Sequence, residues 1–161
     1  MLVSEILKPE NIKIDIESED KEELFEELVN FLVDVEHLDE RDEILNSLWE
    51  RERKMTTGIA PNIAIPHTKI KNLGKTIGVM GISQGGIEYD SLDGKPVHLI
   101  IFLVGDENNP NVHLNILKNI ATLLNNPDFY AQIMKCKTSP SVTETIVEFE
   151  DLLLKYSEDK K

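Results

Sequence analysis

The spacing of apolar residues predicts a short strand and two amphipathic helices in the first third of the chain. Residues 12–16 alternate apolar and polar side chains, which is typical of a half-buried strand. A helix is predicted from about residue 20 to residue 35, where apolar residues recur at helical spacing: Leu24, Leu28, Phe31, Leu32 and Val35. A second helix is predicted to begin at an Asp39 cap. Its buried side is predicted to carry Ile44, Leu45, Leu48 and Trp49.

The strongest strand pattern is segment 97–104, in which every residue except His98 is apolar. A strand that is apolar on both faces is typical of the centre of a sheet with helices on both sides, so an α/β fold is predicted. Residues 76–82 are predicted to form another strand, and its two glycines are positions where a second backbone can approach closely. Glycine-rich sequences predict turns at residues 84–86 and 93–96.

Helical patterns fill most of the chain after this strand. Asn109 followed by Pro110 is a good helix-start signal, and the helix is predicted to reach about Asn125. One stripe of this helix carries His113, Leu117, Ile120 and Leu124. A break at residues 127–128 introduces a short segment over about residues 129–135.

The last helix is predicted to begin at residues 139–141. The side chains that should face inward are Val142, Ile146, Phe149, Leu152 and Leu153. The tail from about residue 157 is predicted to be frayed. Because the chain contains no internal repeat, no low-complexity segment and no second pattern of elements, residues 1–161 are predicted to form a single domain.

Charge and hydropathy narrow the class of protein. No apolar run approaches the roughly 18–20 residues that cross a bilayer, and the first residues lack the features of a signal peptide, so a cytoplasmic protein without membrane insertion is expected. The net charge of −13 argues against nucleic acid and against an anionic membrane surface as partners. It permits a protein partner that is basic where it docks.

The segment 58–69 carries the leading candidate for chemistry, His67. Pro66 fixes its own φ and favours an extended conformation at Ile65, so the backbone that leads into His67 is stiff before any tertiary contact forms. A neutral imidazole, with an ordinary pKa near 6.5, is a competent nucleophile at neutral pH. If it accepts a phosphoryl group, a permanent cation and a second hydrogen-bond donor are needed nearby.

Arg51 and His113 suit those two roles. Arg51 lies in the last turn of the second predicted helix, and its planar guanidinium matches phosphate oxygens. His113 lies in the first turn of the helix after the central strand, where unpaired backbone N–H groups attract anions. Taken alone, His113 is as readily a core histidine, and an arginine in a last helical turn commonly stabilises the helix dipole.

Other chemistries find weaker support in the residues. His37 is expected at the surface, and His98 at the start of the central strand, away from the strand carboxyl ends where sites form. Two histidines without a third ligand at short spacing do not indicate zinc, which leaves a metal-dependent hydrolase as a weak alternative. Cys136 lies between two lysines, matches no thiol-enzyme signature and is expected to be partly buried. The sequence has no glycine-rich nucleotide-binding loop, and no cofactor is expected.

Three blocks of sequence together resemble the fructose/mannitol-type IIA domains of the bacterial phosphoenolpyruvate-dependent sugar phosphotransferase system, a family that includes the nitrogen-regulatory IIA proteins. They are Arg-Glu-Arg-Lys-Met-Thr-Thr-Gly-Ile at 51–59, Ile-Ala-Ile-Pro-His at 63–67, and His113-Leu114-x-x-Leu117. The likeness covers nearly the whole chain. The chain departs from many members at Thr68, where glycine or alanine is common, and at Pro61, where some mannitol-type members are acidic.

The resemblance implies a fold, a reaction and partners. The fold is a mixed β-sheet flanked by helices on both faces. The phosphorylated histidine corresponds to His67, the second active-site histidine to His113 and the phosphate-facing arginine to Arg51. The phosphoryl donor is the histidine-containing phosphocarrier protein, and the acceptor is a IIB component. The alternative is a regulatory module whose phosphorylation state switches a protein partner.

Overall fold

The computed structural model describes residues 1–159, which form one mixed sheet between two layers of helices. In chain order the elements are α1 (Val3–Ile6), a 3₁₀ helix (Pro9–Asn11), β1 (Ile12–Lys13), α2 (Lys21–Glu36), α3 (Arg41–Lys54), β2 (Ile63–Ala64), β3 (His67–Ile70), β4 (Ile77–Ile87), β5 (Val97–Asp106), α4 (Pro110–Leu124), α5 (Pro127–Lys135) and α6 (Ser139–Asp159). Residues 160–161, the end of the predicted tail, lie outside the described residues.

The long strand β5 organises the sheet, as its two-faced apolar pattern predicts. Along one edge it pairs antiparallel with β4, which in turn pairs parallel with β1. Along its other edge β5 pairs parallel with β2 and then with β3. The sheet is therefore mixed, and the prediction of an α/β fold with helices on both faces is confirmed.

Alternate side chains of β5 enter two separate cores. Ile100, Phe102 and Val104 pack with α2 and α3 on one face of the sheet. Leu99, Ile101 and Leu103 pack with the terminal helices, including α4 and α6, on the other face. Each buried aliphatic side chain of this kind contributes about 1.5–3 kcal/mol. This double burial explains why β5 lacks the polar alternation of a half-exposed strand.

Several element boundaries differ from the sequence predictions for local reasons. The turn predicted at 84–86 is wrong, because β4 continues to Ile87 through a register shift, with Gly86 at a φ of +88°. The strand predicted at 12–16 is paired only over Ile12–Lys13. Helix α3 begins after Glu40, so Asp39 lies one residue too early to cap it. The predicted helix over residues 20–35 is confirmed, with the Asp20 carboxylate accepting from the Glu23 N–H.

The end of α6 is a further correction. Leu152 and Leu153 were expected to face inward, but they are 58% and 38% exposed. The buried residues of α6 end at Glu150, because the helix continues beyond the core against which its earlier turns pack. The apolar stripe of this helix is therefore longer than the surface that covers it.

Candidate active site

His67 opens strand β3, whose backbone is fixed by the central strand. In the sheet register His67 lies beside Leu103, and the Leu103 N–H donates to the Pro66 carbonyl at 3.1 Å. The Nδ1 atom of His67 is 2.8 Å from the Ile65 carbonyl oxygen. Because a carbonyl only accepts, Nδ1 must carry the proton. The neutral ring therefore presents a lone pair on Nε2, which makes no hydrogen bond within the described part of the chain.

His113 lies in the first turn of α4 beside His67. The two ring centroids are 5.8 Å apart, and the ring planes are inclined by 44°. His113 is only 4% exposed, yet neither of its ring nitrogens has a hydrogen-bond partner. A buried polar group without a partner costs about 1–3 kcal/mol. An unpaired N–H beside a nucleophilic imidazole is a ready donor to an anion that arrives between the rings.

The ring of His113 occupies space that only glycine leaves open. A Cβ atom at Gly105, near the end of β5, would lie 2.4 Å from His113 Nδ1 and 2.7 Å from Cγ. The close approach of the ring to the bare Cα of Gly105 sets the position of the imidazole next to His67. Gly105 is therefore required for the geometry of the pair.

We expect Gly105→Ala to displace the His113 ring and lower the free energy of unfolding by about 1–3 kcal/mol, the range for overpacking a core. Urea denaturation measures that loss, and loss of the ring contact between His67 and His113 is visible by NMR. Gly85→Ala is the matched control, because a Cβ there has no neighbour within 4 Å. An undisturbed His113 in Gly105→Ala would contradict this packing argument.

Arg51 reaches the same cavity from the end of α3. Its Nη1 donates to the Met55 carbonyl at 3.1 Å, which holds the guanidinium against the chain that leaves the helix. The cavity has a volume of about 490 Å³ and is lined by Ser47, Glu50, Arg51, Lys54, His67, Thr68, Lys69, Glu107, Pro110, Asn111, His113, Leu114 and Leu117. The fold thus brings Arg51, His67 and His113 together from three elements far apart in the sequence.

Electrostatics keep both imidazoles neutral near pH 7. Burial lowers the pKa of His67, and the Arg51 guanidinium and the Lys69 ammonium lower it further, against the raising effect of the Ile65 carbonyl and Glu52. Burial, with the charges of His67 and Lys69, lowers the pKa of His113 to about 4. A neutral His67 has its lone pair available, and the cations that depress the pKa values also favour a bound anion.

The lowered pKa of His113 predicts loss of stability in acid. The unfolded chain binds this proton near pH 6.5 and the folded chain near pH 4, so the contribution is complete above pH 6.5 and is lost as the pH falls toward 4. The difference between these two pKa values corresponds to roughly 3 kcal/mol of unfolding free energy. We expect wild type to lose about that much more unfolding free energy than His113→Gln between pH 7 and pH 4. Equal losses in urea titrations would contradict the buried, unpaired histidine.

The remaining histidines and the cysteine lie apart from this cavity. His37 is exposed at the end of α2, as predicted. His98 Nδ1 is 3.0 Å from the Ser83 carbonyl oxygen, a structural contact near the start of β5. Cys136 is partly buried at the end of α5. Within residues 1–159, no three His, Cys, Asp or Glu side chains gather as a metal site requires.

Sequence reasoning missed four residues that build or support the site. No sequence pattern indicates a role for Gly105 or for Ser47, whose Oγ lies 2.5 Å from Thr68 Oγ1 and donates to the Lys69 carbonyl. Lys69 projects from the same side of β3 as His67, which the alternation of a strand alone implies. Glu52 lies in one of the three sequence blocks, but no pattern in the sequence indicates that it is buried next to Arg51.

Comparison with known proteins identifies the family of this fold and cavity. The family model for the phosphoenolpyruvate-dependent sugar phosphotransferase system, EIIA 2, matches residues 5–149. The chain belongs to this EIIA 2 family. The resemblance drawn from the three sequence blocks is thereby confirmed.

Relatives of this EIIA 2 chain include transport and regulatory proteins. The fructose-specific EIIABC component of Bacillus subtilis is 32% identical over 146 residues, which span 91% of this chain but only 23% of that protein. The nitrogen regulatory protein homolog of Haemophilus influenzae is also 32% identical over 146 residues, and the match covers 88% of each chain.

Solved structures of other EIIA proteins share the fold. Nitrogen regulatory protein IIA-Ntr from Neisseria meningitidis has a TM-score of 0.82 and 28% identity, with 89% of this chain and 98% of that chain covered. The Escherichia coli complex of the mannitol IIA enzyme with its phosphorylated IIB enzyme has a TM-score of 0.73 at 19% identity, with 88% of this chain and 97% of that chain covered.

No helix within residues 1–159 has the length and apolar character to span a membrane.

Proposed function

We propose that this protein is a phosphocarrier of the sugar phosphotransferase system, with His67 as the residue that takes the phosphoryl group from the histidine-containing phosphocarrier protein. The observation that carries the proposal is the hydrogen bond from His67 Nδ1 to the Ile65 carbonyl. It fixes the proton on Nδ1 and leaves the lone pair on Nε2, beside the cavity and its cations. A cytoplasmic location, expected from the sequence, belongs to the proposal.

In the proposed reaction, His67 Nε2 attacks phosphorus in line with the donor's phosphohistidine nitrogen. The new Nε2–P bond forms as the donor N–P bond breaks, and that electron pair remains on the donor imidazole. Nδ1 keeps its proton and its hydrogen bond to Ile65 throughout. The catalytic contribution of the protein is then positioning and electrostatic stabilisation.

Two groups in the cavity suit the phosphoryl oxygens. The Arg51 guanidinium offers a planar pair of N–H donors and a permanent charge. His113 offers an N–H that has no protein partner and is already desolvated. Binding a phosphoryl oxygen would remove the cost of that unpaired group, so part of the affinity is stored in the unphosphorylated site.

Delivery to a IIB component is the downstream step that we propose. The mannitol IIA structure with the same fold is a complex with phosphorylated IIB. Regulatory switching of a protein partner is the second candidate, because a nitrogen regulatory protein homolog matches 88% of this chain. Phosphoryl transfer from the labelled protein to a IIB domain supports transport, whereas capture of a partner in one phosphorylation state alone supports regulation.

A labelling experiment tests the proposal. The purified chain is incubated with radiolabelled phosphoenolpyruvate, the general first enzyme and the histidine-containing phosphocarrier protein. We expect acid-labile, base-stable incorporation that disappears when either protein is omitted. NMR of the phosphorylated chain should assign the phosphorus to Nε2 of His67. Phosphorus on Nδ1 or on His113 would overturn the assignment of the nucleophile.

A further inference from the structure

The buried carboxylate of Glu52 has no part in the reaction described above, although it adjoins Arg51 in the sequence. It is only 5% exposed and lies at the end of α3. Four donors converge on it: the Lys21 ammonium at 3.3 Å, the Tyr89 hydroxyl at 3.1 Å, the Thr57 hydroxyl at 2.6 Å and the Thr57 N–H at 2.7 Å. A buried carboxylate with every oxygen bonded is a rigid anchor for the groups around it.

The anchored residue Thr57 connects Glu52 with the segment that carries His67. The Thr57 carbonyl accepts from the Ile65 N–H at 3.2 Å. The next peptide is held from the other side, because the Pro66 carbonyl accepts from the Leu103 N–H of β5. Ile65 is therefore fixed on both sides, and its own carbonyl accepts the hydrogen bond from His67 Nδ1–H.

We propose that Glu52 is a positioning residue that sets the tautomer of His67 through Thr57 and Ile65. The carboxylate holds Thr57, Thr57 holds the Ile65 peptide, and the Ile65 carbonyl selects the proton on Nδ1. The effect of Glu52 on phosphoryl transfer rests on the proposed function. The effect of Glu52 on the tautomer of His67 rests on hydrogen bonds alone. Glu52 itself does not touch the reacting atoms.

The surroundings of the network fit a fixed support. Tyr89 is fully buried, and burial raises its pKa well above the ordinary value, so its hydroxyl stays protonated and can donate. Its ring is covered by the Lys21 ammonium 4.5 Å from the centroid. Gly58, directly after Thr57, has the Tyr89 ring and Ser91 so close that a Cβ would contact them at 2.9 and 2.8 Å. The segment that contains Thr57 and Gly58 is therefore confined on several sides.

The test compares Glu52→Gln with Glu43→Gln, which makes the same change on the exposed side of the same helix. Long-range ¹H–¹⁵N spectra of the imidazoles, recorded at pH 8 where His67 is neutral, report its tautomer directly. We expect the ratio of the Nδ1–H to the Nε2–H form to fall about tenfold in Glu52→Gln and to stay at the wild-type value in Glu43→Gln. A ratio equal in both variants overturns the proposal.

Phosphoryl transfer supplies the second readout. The rate constant for phosphoryl transfer from the phosphorylated carrier protein should fall about 10- to 100-fold in Glu52→Gln. Losses of this size are typical when a residue that positions a functional side chain is replaced. A lower melting temperature with unchanged tautomer and rate would mean a structural role only and would overturn the proposal. If wild type accepts no phosphoryl group, the proposed function fails, while the spectra still decide the role of Glu52.

A second variant covers failure of Glu52→Gln to fold. Thr57→Val removes the hydroxyl that donates to Glu52 but keeps the backbone N–H that also donates to Glu52. The tautomer ratio should shift in the same direction, by about threefold, because part of the anchor remains. An unchanged ratio in Thr57→Val would overturn the relay through this residue.

Discussion

His67→Ala is expected to abolish phosphoryl incorporation, with the rate from the phosphorylated carrier protein falling below about one-thousandth of wild type. No other neutral imidazole can replace it. His113 lines the same cavity, but it is only 4% exposed and its ring is packed against Gly105. The measurement is the initial rate of acid-labile labelling at pH 7.5, with the melting temperature as a check on folding.

His98→Gln is the matched control, since His98 makes a structural hydrogen bond away from the cavity. It should be labelled at the wild-type rate. The prediction fails if His67→Ala is labelled to the same stoichiometry as wild type, because the acceptor would then be another side chain.

Arg51→Lys is expected to lower the rate of phosphoryl transfer about 10²- to 10³-fold, the usual effect of removing one donor from a site that stabilises developing charge. Lysine keeps the positive charge but loses the planar, parallel pair of N–H groups that a guanidinium, held by the Met55 carbonyl, can present to phosphoryl oxygens. The loss should appear in the rate of the chemical step, followed by rapid-quench labelling.

Arg53→Lys provides the comparison, because Arg53 lies in the same last turn of α3 and does not line the cavity. Both variants should unfold within a degree of one another. If Arg51→Lys transferred phosphate within threefold of Arg53→Lys, charge alone would suffice and the guanidinium would have no geometric role.

The central strand and the helix boundaries around it were predictable because their signals are local. Segment 97–104 is apolar on both faces, and this requires cover on both sides wherever the strand is placed. The start of α4 at Pro110 follows from the missing N–H and fixed φ of proline. The failure at residues 84–86 has the converse cause, because β4 pairs with β5 again at Ile87, beyond its glycines, a contact that no local pattern reports.

The candidate site was likewise only partly predictable from the sequence. The residue types and their order along the chain identified His67, His113 and Arg51 by resemblance, and the stiffness of Pro66 was readable from its ring. The burial of His113 and the position of the proton on the His67 ring were not predictable from the sequence, because the first depends on packing against Gly105 and the second on the direction of the Ile65 carbonyl.

The family, the sheet flanked by helices and the three candidate polar residues were predictable from the sequence, since periodicity and residue chemistry are properties of short segments. The tertiary structure was needed to show that these residues share one cavity and that Gly105 makes room for the second imidazole, and it carries the proposal that the Glu52 carboxylate supports the first. The physical reason is that strand pairing and burial act between positions on different elements, so the backbone register, and not a local pattern, sets which atoms meet.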